Sequence, residues 1–372
     1  IDCWGRSSGN LGSSKNWPKT GSLGGIVSSN CTVNPDFCSY NRVWMVYCDG
    51  NSFSGNRAEA LPVRGLDGKV KNLYFRGRRI IDATLEALSL HFGMSLADTV
   101  MLTGCSAGGL ATYLHTDYVH LQLKTIFAKG LKKFKAVSIS GFFLQHKNVN
   151  GEPVYEDEMK NIFELANSTN GLNAKCIAAM PSSEQWKCNF AQYAYAYTES
   201  EIFPLNSALD SWQTNCIFTS ELVPKFPHQA STSNGDCAAA PGWHNCSLDP
   251  EKCTADQMTK FNGYMADFQR AMEDTATFKK AGNGAFLHSC HTHCEGQNDA
   301  LYTTFAVGST TMQQAVSKWW KSGGNEPAAE HTYLPCHYKR SLPHRCNPTC
   351  GTAGNHDDSS NNFLAPFEGT EE

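Results

Sequence analysis

A tight turn between a strand-like and a helix-like segment is the feature that most constrains how this chain can fold. Apolar residues crowd positions 100–102, which predicts a short buried strand. The sequence GCSAGG follows at once at positions 104–109. Apolar and aromatic residues then recur at helical spacing, at Leu110, Tyr113, Leu114 and Tyr118. A change from strand to helix within so few residues favours glycine, because a side chain would clash at the turn.

The turn carries a sequence pattern associated with a chemical role. Gly104, Ser106 and Gly108 satisfy G-x-S-x-G, which in α/β-hydrolases forms a nucleophile elbow with the serine at a helix N-terminus. The backbone N–H of the next residue, Ala107, would then face an oxyanion. The pattern also arises by chance, and Ser106 could serve only as a helix N-cap. The strand before it and the helix after it favour the elbow.

The rest of the chain alternates strand-like and helix-like segments. Residues 42–48 and 134–143 are rich in strand formers, and a late strand is predicted around Phe286. Apolar residues at helical spacing predict a helix over about residues 78–92. We therefore predict an α/β fold of the α/β-hydrolase type, with a mostly parallel central sheet and helices on both faces.

Composition restricts the compartment and the partners. Sixteen cysteines in 372 residues predict a disulfide-rich secreted protein, and sequons at Asn30, Asn167 and Asn245 agree with glycosylation. The net charge is −4 with no long run of one sign, so a nucleic-acid partner is not expected. No apolar run reaches the length of a membrane span. We expect a monomer.

A short run late in the chain offers histidines for a serine nucleophile. Positions 286–295 read FLHSCHTHCE, and His288, His291 and His293 all lie where an α/β-hydrolase carries its histidine, after a late strand. The same run could ligate zinc through its cysteines and histidines. Its spacing is not the usual C-x2-C, and paired cysteines are more typical of a secreted chain, so we expect no metal.

The acid should lie between the serine and the histidine in the chain. Asp210, which precedes Ser-Trp-Gln, fits this order, but Asp256 and Asp267 fit it as well. The pattern alone does not choose among them, because most aspartates are solvated or cap helices.

Several segments taken together resemble the pectin acetylesterase family, which includes the Notum carboxylesterases. The matching segments, in order, are LGSSKNWP (11–18), NPDFCSYNRVWMVYCDGNSFSG (34–55), LYFRGRRI (73–80), LTGCSAGGLATYLHTDYV (102–119), DSWQ (210–213) and SCHTHCE (289–295). Cys105 before the serine and the Ser-Cys-x-x-His-Cys run are closer to the plant-type members than to animal Notum.

The resemblance implies roles for individual residues. It implies Ser106 as nucleophile, Asp210 as the acid and His293 as the general base, which demotes His288 and His291. Ala107 is implied to supply one oxyanion N–H. Trp212, beside the acid, could line a substrate pocket, although a core position is favoured for so large an aromatic residue.

The resemblance also implies an activity and an organisation. The expected protein is a secreted, cell-wall serine carboxylesterase that removes O-acetyl groups from pectin-type polysaccharide without a cofactor. The alternatives are a Notum-like esterase that removes a fatty acyl group from a protein, and a binding protein with an incomplete oxyanion hole. The binding protein is considered because the chain begins at Ile1, after the point where the family carries strands and a glycine-rich loop. In the family, that loop supplies the other oxyanion donors. A single catalytic domain is expected over residues 1–351, with a polar, disordered tail at 352–372.

Overall fold

The computed structural model describes residues 2–65, 67–127, 130–221, 237–323, 331–333 and 346–350. The predicted tail at 352–372 lies outside the described residues. The strands are β1 (Leu61–Arg64), β2 (Val70–Leu73), β3 (Thr99–Cys105), β4 (Lys133–Ile139), β5 (Ile202–Ser207), β6 (Ala285–His288), β7 (Ala306–Val307), β8 (Thr310–Thr311) and β9 (His331–Tyr333). The helices are α1 (Asp2–Arg6), α2 (Gly77–His91), α3 (Ala107–Ile126), α4 (Val154–Leu165), α5 (Ala174–Ala179), α6 (Ala191–Ala194), α7 (Ser211–Gln213), α8 (His244–Leu248), α9 (Ala255–Glu273), α10 (Asp299–Thr304) and α11 (Met312–Lys321).

Five parallel strands form the central sheet, in the order β3-β4-β5-β6-β9. At the end of β3, Cys105 lies opposite Ile139, and at the end of β5, Ser207 lies opposite His288. The carboxyl ends of β3, β4, β5 and β6 therefore share one edge, where open parallel sheets carry their functional residues. The predicted parallel sheet is confirmed.

Helices cover both faces of this sheet. Ala136 of β4 faces a buried cluster with Tyr113 of α3 and Phe268 of α9. The next residue, Val137, faces the opposite way and joins a cluster with Trp319 of α11. Successive strand residues point to opposite faces, so each strand contributes to two cores. The α/β architecture predicted from the alternating pattern is confirmed.

The predicted strand over residues 42–48 is wrong. These residues form an irregular segment before the turn at Asp49 and Gly50, and none of the described strands is paired with them in a sheet. The Arg42 guanidinium donates to the carbonyl oxygens of Val27, Ser28 and Cys38, so side-chain bonds fix the path of the backbone. A strand-forming composition favours an extended backbone, but a strand also needs a neighbour with which to exchange hydrogen bonds.

Helix α3 lies very close to the end of β4. A Cβ atom added to Gly109 would overlap the carbonyl oxygen of Ile139, and one added to Gly141 would overlap the backbone of Gly109. The strand predicted over 134–143 therefore ends early, at Ile139, where Ser140 takes a positive φ of 46° and Gly141 turns the chain past the helix.

Six disulfides lie among the described residues and confirm the disulfide-rich prediction. They join Cys31 to Cys38, Cys105 to Cys294, Cys176 to Cys188, Cys216 to Cys237, Cys246 to Cys253 and Cys290 to Cys350. Within the described ranges, no helix has the length and apolar character needed to cross a bilayer.

The close approach of α3 to β4 predicts different responses at adjacent glycines. Gly109→Ala should lower the free energy of unfolding by about 1–3 kcal/mol, because the new methyl group meets backbone that cannot move aside. Gly108→Ala is the matched control, since an added Cβ there meets nothing within 4 Å, and its effect should stay below about 1 kcal/mol. Urea unfolding of the disulfide-intact proteins measures both values, and equal losses would contradict the packing described here.

Candidate active site

Ser106 lies at the turn between β3 and α3 in a strained backbone conformation. Its φ is 58° and its ψ is −124°, a region that residues with a side chain rarely adopt. The Ser106 N–H donates to the Ile139 carbonyl oxygen at 3.0 Å, and the Ser106 carbonyl oxygen accepts the first helical bond, from Leu110 at 2.9 Å. Its hydroxyl caps no backbone N–H of the helix. The strand–turn–helix prediction is confirmed.

Asp210 follows β5 and is fully buried. One carboxylate oxygen, Oδ1, accepts a hydrogen bond from the Gln213 N–H at 3.0 Å and so caps helix α7. The other, Oδ2, lies 2.8 Å from Nδ1 of His293. With Nδ1 as the donor, Nε2 of the imidazole is the basic nitrogen.

The other acids considered from the sequence lie elsewhere. Asp256 is exposed in the first turn of α9. Asp267, further along the same helix, contacts His146 at 3.2 Å and Arg270 at 2.9 Å. Of the aspartates weighed, the structure brings only Asp210 to one of the three histidines.

The three histidines at the end of β6 and in the loop that follows have different partners. His291 Nε2 lies 2.9 Å from the Thr214 hydroxyl, and His288 Nε2 lies 2.8 Å from the buried Glu295 carboxylate. Only His293 reaches Asp210. The loop that carries it is tied to the acid's helix, because the Ser211 N–H donates to the Thr292 carbonyl oxygen at 3.1 Å.

A disulfide joins the elbow to the histidine loop. Cys105 immediately precedes Ser106, Cys294 immediately follows His293, and the two cysteines are bonded to each other. Their sulfurs and a ring nitrogen of His293 all lie within 4.8 Å of one another. This disulfide places the histidine next to the serine turn.

Disulfide bonding leaves no thiolate in the histidine run for a zinc ion. Zinc binds cysteine as the thiolate. Cys294 is bonded to Cys105 and Cys290 to Cys350, so both cysteines of the histidine run are in disulfides. The residues present do not fit a thiolate metal site.

Aromatic rings flank the histidine. Trp212 is half-buried, and its ring centroid lies 6.3 Å from that of His293 and 4.9 Å from that of Phe143. Tyr155 of α4 packs against Trp212 at 6.0 Å. Trp212 is partly buried and packs against the cluster that contains Tyr113 and Phe268, and its role in a substrate pocket stays a prediction. Sequence reasoning assigned no role to Phe143, although it follows a strand at the edge where sites form.

Buried hydrogen bonds hold the short helix that Asp210 caps. Gln213 is fully buried, and its Oε1 accepts hydrogen bonds from the Leu144 N–H and the Tyr264 hydroxyl, both at 3.0 Å. Burial raises the pKa of Tyr264, and the nearby Asp210 carboxylate raises it further. Tyr264 therefore remains a neutral donor, and helix α9 is tied to the short helix that Asp210 caps.

The sequon asparagines all lie on the surface. Asn30, Asn167 and Asn245 are exposed. Asn167 has a positive φ of 52°, and the hydroxyl of the next residue, Ser168, accepts a buried hydrogen bond from Asn51 at 2.8 Å.

Known proteins resemble this chain along nearly all of its length. A family model described as Pectinacetylesterase matches residues 1–351. Pectin acetylesterase 11 of Arabidopsis thaliana is 31% identical over 358 residues, or 95% of this chain and 81% of that protein. Palmitoleoyl-protein carboxylesterase NOTUM of Homo sapiens is 25% identical over 352 residues, or 92% of this chain and 62% of that protein.

A solved structure shares the fold. The Wnt deacylase Notum from Drosophila superposes with a TM-score of 0.68 at 21% sequence identity, over 94% of this chain and 86% of that chain. At this identity the likeness concerns the fold, and it confirms the α/β-hydrolase-like architecture.

The disulfide between the elbow and the histidine loop predicts a combined loss of stability and activity. Cys105 and Cys294 are 189 residues apart, and the chain-entropy relation gives about 5 kcal/mol for so long a loop. Replacing both cysteines by alanine should also lower kcat for a synthetic acetyl ester by about 10²-fold, because the histidine loses its fixed position.

The matched control removes the disulfide between Cys31 and Cys38. This bond closes only 7 residues, which corresponds to about 2 kcal/mol, and its loss should leave kcat unchanged. Urea unfolding and steady-state hydrolysis measure both effects. Equal kcat values for the two double variants would show that the longer disulfide does not position the site.

Proposed function

Because this chain belongs to the pectinacetylesterase family and is a carboxylic ester hydrolase, we propose that Ser106, His293 and Asp210 act as its catalytic triad. The observation that carries the proposal is the 2.8 Å contact between His293 Nδ1 and Asp210 Oδ2, beside a disulfide that leads directly to Ser106. A buried carboxylate that binds one imidazole nitrogen leaves the other to act as a base.

The first half of the proposed reaction forms an acyl-enzyme. Ser106 Oγ attacks the ester carbonyl carbon while His293 Nε2 takes the hydroxyl proton, and Asp210 stabilises the resulting imidazolium. The Ala107 N–H, at the start of α3, donates to the oxyanion. The imidazolium then returns its proton to the alcohol oxygen as the carbon–oxygen bond breaks, and the alcohol leaves.

The second half regenerates the serine. His293 takes a proton from water, whose oxygen attacks the acyl carbonyl carbon. The tetrahedral intermediate then collapses, and the proton passes to Ser106 Oγ as the acyl bond breaks. A carboxylic acid is released, and the cycle needs no cofactor.

The proposed substrate is an O-acetyl group on pectin-type polysaccharide. The similarity to plant pectin acetylesterases supports it, and so do the rings of Phe143, Tyr155 and Trp212, which pack against one another beside His293. An acetyl group needs less space beside these rings than a fatty acyl chain does. The Notum relatives give the competing substrate class, a fatty acyl group on a protein.

The proposed setting is outside the cell, at the wall. Disulfides persist in oxidising compartments, and the exposed asparagines at 30, 167 and 245 support N-glycosylation. We further propose that residues 1–351 act as one catalytic domain and that the protein works as a monomer.

The triad proposal predicts a serine-dependent acetylesterase. Ser106→Ala and Asp210→Asn should each lower kcat by at least about 10³-fold, because the nucleophile or the imidazole's orienting partner is lost. Acetate release from acetylated pectin measures this. A series of synthetic esters from acetyl to octanoyl should show falling kcat/KM with chain length.

The control for this experiment is Ser183→Ala, which changes an exposed serine outside the site and should leave kcat unchanged. Faster hydrolysis of octanoyl than acetyl esters would favour the Notum-like substrate class. A folded wild-type protein that hydrolyses none of these esters would refute the triad proposal and favour a binding protein.

The secretion proposal predicts glycans at the sequons. Protein from a eukaryotic secretory host should lose mass on N-glycosidase treatment. Intact-mass spectrometry of Asn30→Gln, Asn167→Gln and Asn245→Gln should show one glycan fewer in each. An unmodified wild-type mass would contradict the proposal.

A further inference from the structure

A second histidine–carboxylate pair lies directly behind the histidine loop. Glu295, two residues after His293, is fully buried, and its Oε1 lies 2.8 Å from Nε2 of His288. His288 is the last residue of β6 and is also buried. The mechanism proposed above uses neither side chain. A buried carboxylate is costly to keep unless its charge has a function or strong partners.

The hydrogen bonds indicate which partner carries the charge. The Cys290 N–H donates to Nδ1 of His288 at 3.2 Å, so that nitrogen is an acceptor and Nε2 carries the proton. In this tautomer the imidazole of His288 is neutral, and it donates to Glu295. Burial opposes ionisation of Glu295, but the hydrogen bond that it accepts from His288 and the nearness of His293 hold the pKa of its carboxyl below the ordinary value. The pair therefore keeps a negative charge.

Ser140 connects this charge to the rest of the site. Its hydroxyl accepts a hydrogen bond from the Cys294 N–H at 3.0 Å and donates to Glu295 Oε2 at 3.2 Å. Ser140 directly follows Ile139, whose carbonyl oxygen accepts the Ser106 N–H. One short network thus links the end of β4, the serine turn and the residue after His293.

We propose that Glu295 is a positioning residue that holds the histidine loop against the sheet and stabilises the positively charged form of His293. The inference rests on the proposed function, in which His293 becomes an imidazolium in each half-reaction. Asp210 stabilises that charge by direct contact, and Glu295 stabilises it through space from the loop's inner side. Glu295 itself touches neither substrate nor reacting atoms.

The surroundings of His293 make the charge effect measurable. The titratable groups around it include Asp210 after β5, Glu295 and His291 from its own loop, and the neutral His288 at the end of β6. The end of β3 contributes the Cys105 disulfide, and the flanking rings, Phe143 and Trp212, are uncharged. Removing the Glu295 charge therefore leaves the direct contact between Asp210 and the imidazole in place.

The test is Glu295→Gln, which keeps the side-chain shape and removes the charge. A carboxylate raises the pKa of a nearby imidazole, so its removal should shift the acid limb of the kcat/KM profile about one unit lower. The matching loss of imidazolium stabilisation should lower kcat about tenfold, with KM changed less than about twofold. Glu295→Asp keeps the charge and should keep the wild-type midpoint.

The matched control is Glu201→Gln. Glu201 pairs with the buried Lys135 at 2.7 Å at the opposite edge of the same sheet, so this variant should not move the profile. Ser140→Ala separates the hydrogen bond from the charge. It should lower kcat without moving the midpoint, and it tests the positioning role if Glu295→Gln does not fold.

A histidine NMR titration gives a reading that does not depend on activity. The pKa of His293 is followed in Ser106→Ala protein with and without Glu295→Gln, and its resonance is assigned by its absence from His293→Gln. An unchanged pKa or profile midpoint in Glu295→Gln overturns the charge role, and an unchanged kcat in Ser140→Ala overturns the positioning role. A wild-type protein inactive on every ester refutes the proposed function, while the NMR titration still decides whether Glu295 acts on His293.

Discussion

The bond between Cys105 and Cys294 is the constraint on which the site's geometry depends. β3 and β6 are separated by β4 and β5, and three strand spacings amount to roughly 14 Å. The loop after β6 must therefore turn back across the edge of the sheet to bring its histidine to the serine. Cys294 takes a left-handed conformation, with a φ of 63°, at the point where this return is made. The disulfide, together with the Ser140 hydroxyl, holds the loop there.

Asp210 shows how the same edge serves both folding and chemistry. One carboxylate oxygen caps a helix, and the other binds the imidazole. A side chain held by two elements has little rotational freedom, so it needs no reorganisation when the imidazole becomes charged. Gln213 and Tyr264 extend this support to helix α9, which packs against the sheet.

Local signals in the sequence were sufficient for part of this arrangement. The elbow, the helix over Gly77–His91 and the late strand at Ala285–His288 depend on neighbouring residues, so local motifs and patterns predicted them. The segment at 42–48 shows the limit, because strand formation depends on a partner that no local pattern specifies.

The site required information from distant parts of the chain. Spacing left three aspartates and three histidines open, and the family resemblance, not the pattern, singled out Asp210 and His293. The disulfide pairing was out of reach for the same reason, since Cys105 and Cys294 meet only in the folded sheet. Glu295 stood in the quoted histidine run without a role, because spacing does not show that it pairs with His288, and its other partner, Ser140, lies 155 residues earlier.

The backbone at Ser106 has a consequence for how such a chain changes over generations. A residue with a Cβ at φ 58° and ψ −124° costs about 1–3 kcal/mol, and glycine would relieve most of it. If selection no longer kept the hydroxyl, replacing Ser106 by glycine would therefore increase the stability of the protein. Asp210 would persist longer, since its helix cap is favourable whatever the protein does. The serine is the residue whose presence most directly records selection for chemistry over stability.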